Sequence, residues 1–72
     1  MLELDLSGLN CPLPVLKTKK FLANLPSGIS VKILTTDPSS MFDLKEFCHK
    51  TGHVLISTDQ ITDKIYTVIQ RR

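Results

Sequence analysis

The sequence has few of the residues that mark a specialised chemistry or environment. It contains no tryptophan, one tyrosine, three glycines and two cysteines among its 72 residues. No apolar run approaches the roughly 18 residues that a membrane-spanning helix needs, so we expect no membrane span. Residues 1–6 alternate apolar with acidic side chains and lack the basic start of a secretory signal peptide. We therefore expect a cytoplasmic protein.

The cysteine count and the charge narrow the function classes further. Cys11 and Cys48 do not make a disulfide framework, and in a reducing compartment both thiols are expected to be free. The net charge of +2 does not by itself indicate nucleic-acid binding, and the few aromatic residues provide no evident stacking platform. A chain of 72 residues is expected to form a single domain, residues 1–72, without a deep substrate pocket.

Hydrophobic periodicity predicts the element order β-α-β-α-β-β. The predicted strands cover residues 2–6, 29–36, 53–58 and 64–70, and the predicted helices cover residues 12–25 and 40–51. The last two strands are close enough in sequence to form an antiparallel hairpin. Two helices on one face of a four-stranded mixed sheet give an α/β (α+β) two-layer sandwich whose other sheet face is solvated.

The second helix carries recognisable start and stop signals. Ser40 with Asp43 resembles a capping box, and Gly52 stands where a helix end favours a left-handed residue. Helical spacing predicts an inward face made of Met41, Leu44, Phe47, Cys48 and Thr51.

Cys11 is the residue best placed for chemistry. It stands where the first strand leads into the first helix, with Pro12 at the predicted first helical position and Pro14 in the first turn. Partial positive charge at a helix N-terminus favours the thiolate, which is the nucleophilic form of cysteine. A thioredoxin-like site would need a second cysteine where Pro14 stands. The pattern therefore predicts one-thiol chemistry, in which Cys11 accepts a group, holds it and passes it on.

Residues 5–17, with the sequence DLSGLNCPLPVLK, resemble the N-terminal motif of the TusA (SirA-like) sulfur-carrier family. Residues 36–38 and 47–53 also resemble family patterns, so the resemblance covers the whole chain. It implies the β-α-β-α-β-β sandwich and a sulfurtransferase of the carrier type, which holds sulfane sulfur as a persulfide on Cys11. Gly8, Pro12 and Pro14 are predicted to hold the loop around this catalytic cysteine.

The resemblance also implies partners. The donor would be a cysteine desulfurase or another persulfide donor, and the acceptor a downstream sulfur-relay protein. The sulfur would end in 2-thiouridine of tRNA, in molybdenum cofactor or in a sulfur-oxidation pathway. No cofactor or metal is expected, because the cysteine sulfur itself carries the group, and a monomer suffices.

A partner surface is predicted beside Cys11. On the helical wheel the first helix has one core-facing stripe, made of Val15, Thr18, Phe21, Leu22 and Leu25. Leu13 and Leu16 point away from this stripe, and Lys17 and Lys20 could steer an acidic partner. Together with Lys19, these lysines also support an alternative function, a non-catalytic regulatory or RNA-binding module. The simplest interpretation of the three lysines is an ordinary solvated helix face.

The remaining candidate residues are expected to be structural. Cys48 is predicted to be a buried helix thiol, and a two-cysteine oxidoreductase, the third hypothesis, would need it beside Cys11. His49 and His53 have a spacing found in zinc fingers, but no pair of closely spaced cysteines accompanies them. We therefore predict no metal site.

Overall fold

The computed structural model describes residues 1–72 and contains two helices and four strands in the predicted order. The elements are β1 (Leu2–Asp5), α1 (Leu13–Ala23), β2 (Ser30–Thr35), α2 (Ser40–Thr51), β3 (Val54–Ile61) and β4 (Lys64–Gln70). The two helices lie against a four-stranded mixed sheet, which confirms the predicted two-layer sandwich. Neither helix is both long and apolar enough to cross a membrane.

The sheet has the strand order β1-β2-β4-β3. Strand β1 runs parallel to β2, and β4 lies antiparallel between β2 and β3. Because β1 and β2 are parallel neighbours, their carboxyl ends meet at the same edge of the sheet. The loop that contains Cys11 leaves β1 at this edge, beside the loop that leads from β2 into α2. This topology brings the two loops into contact.

The core lies between the sheet and the two helices. Alternate residues of β2 are buried, as expected for a central strand, and Val31 and Ile33 are fully inaccessible to solvent. The core cluster consists of Leu6, Leu22, Val31, Ile33, Leu44, Phe47, Cys48 and Ile69. On α1 the predicted apolar stripe faces this cluster, since Leu22 is buried and Val15, Phe21 and Leu25 pack against it.

Two predicted boundaries are wrong by more than one residue. Strand β3 continues three residues beyond Thr58, because its ladder with β4 persists to the pair Ile61↔Lys64. The hairpin turn is therefore only Thr62 and Asp63, with Thr62 in the left-handed region at φ 57°. Helix α1 ends at Ala23, two residues before Leu25.

The start of α2 also differs from the prediction. Its N-cap is Ser39, and Ser40 is the first helical residue. Ser40 is buried, and its hydroxyl is hydrogen-bonded to the Thr35 hydroxyl at the end of β2, 2.6 Å away. Met41, predicted to face inward, is instead 37% exposed. The predicted end is confirmed, since Gly52 takes φ 84° and donates its N–H to the Cys48 carbonyl at 2.9 Å.

Candidate active site

Cys11 is exposed and lies in a turn before α1. The peptide bond between Cys11 and Pro12 is cis. Pro12 is the N-cap and Pro14 the second helical residue, so the helix begins one residue later than predicted. The N–H of Leu13 donates to the Asn10 carbonyl at 2.9 Å and is therefore not free to face the sulfur. Cys11 thus belongs to the turn and not to the helix.

Two long-range hydrogen bonds fasten this loop to the segment before α2. Gly8 takes φ 81°, a conformation that favours glycine, and donates its N–H to the Thr36 hydroxyl at 2.8 Å. The N–H of Cys11 donates to Asp37 Oδ2 at 2.6 Å. The other carboxylate oxygen, Asp37 Oδ1, accepts the N–H of Ser39 at 3.0 Å. Asp37 therefore links the cysteine directly to the start of α2.

The Asp37 carboxylate is suited to this bridging role. The N–H groups of Ser39 and Cys11 stabilise its ionised form and lower its pKa below the ordinary value. A charged acceptor makes a stronger hydrogen bond than a neutral one. Asp37 is not among the site residues predicted from the sequence. The signal was the Asp-Pro pair between a strand and a helix, which is also the signature of an ordinary turn.

The electrostatic environment of Cys11 differs from the predicted one. The neighbouring Asp43 carboxylate interacts with the thiol and raises its pKa, and partial desolvation and the charge of Asp37 act in the same direction. The Ser39 hydroxyl acts weakly in the opposite direction. The prediction that the start of α1 favours a thiolate is therefore wrong. It considered only the helix that follows Cys11 in sequence and not the acidic residues that α2 brings beside the sulfur.

An open groove runs from Cys11 between the two helices. Its apolar members include Leu16 of α1 and Phe42 of α2, which are 54% and 65% exposed. Its charged members are Lys19, Asp43, Glu46 and Lys50. Phe42, Glu46 and Lys50 were not predicted, because their proximity to Cys11 depends on how α2 packs beside α1. The groove beside the thiol is therefore lined by apolar side chains together with positively and negatively charged ones.

The four residues predicted to bind a partner are not equally close to this groove. Leu16 lines it, whereas Leu13 is exposed at the start of α1 without lining it. Lys17 and Lys20 are also exposed on α1 outside the groove, and it is Lys19 that borders it.

Cys48 is buried in the core, as predicted, and burial raises its pKa to about 11. Burial removes the accessibility that a resolving thiol needs, which disfavours the two-cysteine oxidoreductase. His49 is exposed on α2, and His53 accepts the Arg72 N–H at Nδ1 over 2.9 Å. Burial and the charges of Arg71 and Arg72 lower the pKa of His53. No three histidine, cysteine or carboxylate side chains form a metal-binding group.

Cys11 is therefore an exposed, unpaired thiol on a loop that two long-range hydrogen bonds fasten beside an open groove. Comparison with known proteins assigns the chain to a family. The family model described as sulfurtransferase TusA matches residues 2–72, and the chain belongs to this family. The family supports a sulfur-carrier role.

Individual relatives agree with this assignment. The chain is 41% identical over 69 residues to the sulfur carrier protein TusA of Allochromatium vinosum, a match that covers 96% of this chain and 91% of the relative. It is 40% identical over 57 residues to the sulfur carrier protein TusA of Pseudomonas putida, covering 79% and 71% of the two chains. A crystal structure of a SirA-like protein from Desulfitobacterium hafniense matches with a TM-score of 0.85 and 28% identity, over 97% of this chain and 96% of that one.

Proposed function

We propose that the protein carries sulfane sulfur as a persulfide on Cys11 and relays it from a donor protein to an acceptor protein. The observation that carries this proposal is that Cys11 is the exposed thiol of a sulfur-carrier family member, while Cys48 is buried. Gly8, Pro12 and Pro14 serve this role by holding the loop. The sulfur of Cys11 itself bears the cargo, so the transfer needs no bound cofactor.

The loading step is an exchange between two sulfur atoms. The Cys11 sulfur attacks the outer sulfur of a donor persulfide, and the bond between the donor's two sulfur atoms breaks. The donor's inner sulfur keeps the electron pair of that bond and takes up the proton that Cys11 releases. Cys11 then carries a persulfide and the donor is a thiol again. No external oxidant or reductant is consumed.

We infer that the groove is where the partner docks. Leu16 and Phe42 form its apolar centre next to the thiol, and transient interfaces commonly combine such a centre with a charged rim. Lys19 and Lys50 supply cationic rim positions, and Lys17 and Lys20 extend positive charge along α1. These lysines favour a partner with an acidic surface near its own reacting sulfur, because opposite charges accelerate association.

Replacing Leu16 with Asp tests this docking surface. The side chain is 54% exposed, so the fold is expected to persist, while transfer from the donor slows because a charge replaces the apolar contact. Ile61→Asp is the matched control, since Ile61 is similarly exposed at the far end of β3. Equal transfer rates in wild type and Leu16→Asp, measured by mass spectrometry of the loaded carrier, would contradict the docking role.

The proposal extends to the setting of the relay. A cysteine desulfurase or another persulfide donor supplies the sulfur, and a sulfur-relay protein receives it. The end product is thiolated tRNA, molybdenum cofactor or an oxidised sulfur compound. The carrier acts in the cytoplasm as a monomer with one domain, residues 1–72, and binds no nucleic acid directly.

The decisive test is sulfur loading. Reduced protein is incubated with a cysteine desulfurase and cysteine, and its intact mass is compared with that of a Cys11→Ser variant. We expect a gain of one sulfur atom in the wild type and none in the variant. If neither this donor nor thiosulfate or polysulfide loads Cys11, the proposal fails. Salt-dependent binding of tRNA would then favour the RNA-binding alternative.

A further inference from the structure

The Asp37 carboxylate uses both of its oxygens to join two segments of the chain. Oδ2 accepts the Cys11 N–H at 2.6 Å, and Oδ1 accepts the Ser39 N–H at 3.0 Å. The first bond spans 26 positions of the chain and is the only hydrogen bond of the Cys11 main chain. The second bond fixes the carboxylate to the N-cap of α2. One side chain therefore holds the cysteine against the helix that forms one wall of the groove.

We propose that Asp37 is a positioning residue that sets where the Cys11 sulfur lies relative to the groove, so that a donor protein docked between α1 and α2 reaches it. This inference rests on the proposed function and adds to it the residue that aligns the sulfur with the docking surface. Asp37 acts through the main chain of Cys11 and does not bond to the travelling sulfur. Cys11 remains the catalytic residue.

The neighbours of Cys11 in the loop leave this task to Asp37. Gly8, three residues earlier, donates its N–H to the Thr36 hydroxyl and so holds the beginning of the loop. Pro12, the next residue, has no N–H to donate. The bond to Asp37 is therefore the one that ties the cysteine itself to the rest of the fold.

Transfer between two proteins needs a defined geometry at the sulfur. The attacking sulfur has to approach along the line of the bond that breaks, and a misplacement of about 1 Å can slow such a reaction about a hundred-fold. A donor held by groove side chains such as Leu16 and Phe42 cannot follow a displaced cysteine. A small reagent, by contrast, approaches an exposed thiol from any open direction. Loss of the Asp37 bonds is therefore expected to slow a protein donor much more than a small reagent.

The negative charge of Asp37 has an effect of the opposite sign. This charge is one of the causes that raise the pKa of Cys11, after the stronger effect of Asp43. Removing it makes the thiolate easier to form, so by charge alone neither alkylation nor sulfur transfer becomes slower. Slower transfer from a protein donor together with undiminished alkylation is therefore the result that distinguishes positioning from an effect of charge.

The first test is hydrogen exchange of the Cys11 amide, measured by NMR in wild type, Asp37→Ala and Gly52→Ala. We expect exchange to be at least about ten-fold faster in Asp37→Ala than in wild type, because the amide loses its acceptor. Gly52→Ala is the control, since it perturbs the opposite end of α2 and not the loop. Equal exchange in wild type and Asp37→Ala would overturn the positioning role.

The second test is sulfur transfer in a single turnover. A cysteine desulfurase is loaded with sulfur, freed of cysteine and mixed with increasing concentrations of the carrier, whose loading is followed by intact mass. In Asp37→Ala we expect the saturating rate to be at least about ten-fold lower. The half-saturating concentration should match that of wild type, and alkylation by iodoacetamide should be at least as fast. Asp37→Asn should lie between the two, because its amide has one acceptor oxygen for two N–H groups.

Circular dichroism shows whether each variant is folded, and Asp37→Asn takes the place of Asp37→Ala if the latter is not. A wild-type saturating rate in a folded Asp37 variant would overturn the proposal. Equal slowing of transfer and alkylation, or equal slowing of transfer in Gly52→Ala, would also overturn it, because a general disturbance of the fold would then explain the result. If no donor loads wild type, the proposed function fails, whereas the exchange of the Cys11 amide still decides the role of Asp37.

Discussion

The two cysteines should react with an alkylating reagent at very different rates. We expect native protein treated with iodoacetamide at about pH 8 to gain one adduct rapidly, at Cys11, and a second only slowly, at Cys48. Cys11 is exposed, whereas Cys48 belongs to the buried core. The difference tests whether the protein has one available thiol, on which the carrier proposal depends.

The size of the difference follows from the structure. With a pKa of about 11, only roughly one Cys48 side chain in a thousand is a thiolate at about pH 8, and that thiolate remains shielded from solvent. Reaction through unfolded molecules is also slow. Domains have a stability of roughly 0.05–0.15 kcal/mol per residue, which gives this chain of 72 residues about 4 kcal/mol or more. The raised pKa of Cys11 makes its own alkylation slower and so reduces the difference between the two rates. Cys11 should still react at least about a hundred-fold faster than Cys48.

Intact mass spectrometry over time measures both rates in one sample. The Cys48→Ala variant should show only the fast phase, and the Cys11→Ser variant only the slow phase, which urea should accelerate. Two adducts gained at the same rate in native wild type would refute the burial of Cys48. In that case a two-thiol mechanism would again be a candidate.

Three further predictions concern stability and are measured by urea or thermal unfolding. Leu44→Ala should lower the free energy of unfolding by about 2–5 kcal/mol, because Leu44 is fully buried; a change below about 1 kcal/mol would contradict its place in the core. Gly52→Ala should cost about 1–2 kcal/mol, since φ is 84° and the new Cβ would lie 3.1 Å from Arg72 Cδ; unchanged stability would argue against the left-handed cap. Asp37→Asn should destabilise the protein near neutral pH. Because the pKa of Asp37 is lowered in the folded state, its ionised carboxylate stabilises the fold at pH values above its unfolded-state pKa of about 3.9. This stabilisation is lost as the pH falls through the folded-state pKa. A difference in free energy of unfolding between wild type and Asp37→Asn that persists undiminished in acid would contradict the bridging role of Asp37.

The fold could be predicted from the sequence to a large extent, because its periodic signals agree with the packing. The β-branched, apolar composition of β2 is that of a central strand, and the helical spacing of apolar residues on α1 corresponds to the face that packs on the core. The errors arose where tertiary contacts override local signals. Ser40 resembles a cap but is buried against Thr35, and Met41 is exposed although its spacing predicts an inward position. Strand β3 is longer than its composition indicates because pairing with β4 extends it.

The site could be predicted only in part. Cys11 stands out because two prolines follow it, and Leu16 because it leaves the apolar stripe of its helix. Asp37 and Asp43 could not be assigned to the site from the sequence, since they are 26 and 32 positions away from Cys11 along the chain. Only the parallel pairing of β1 with β2 brings their segment beside the cysteine. For that reason the sequence predicted a thiol activated by a helix, and the structure instead gives a thiol with a raised pKa beside Asp43.

The central claim is that one sulfur atom resides on Cys11 and can be passed on. The most direct test is to load the protein with sulfur from a cysteine desulfurase, alkylate the persulfide, and locate the modification by peptide mass spectrometry in wild type, Cys11→Ser and Cys48→Ala. We predict an alkylated persulfide on the Cys11 peptide of wild type and Cys48→Ala, lost after incubation with an acceptor thiol, and none in Cys11→Ser. A persulfide on Cys48, or equal loading of Cys11→Ser, would contradict the account.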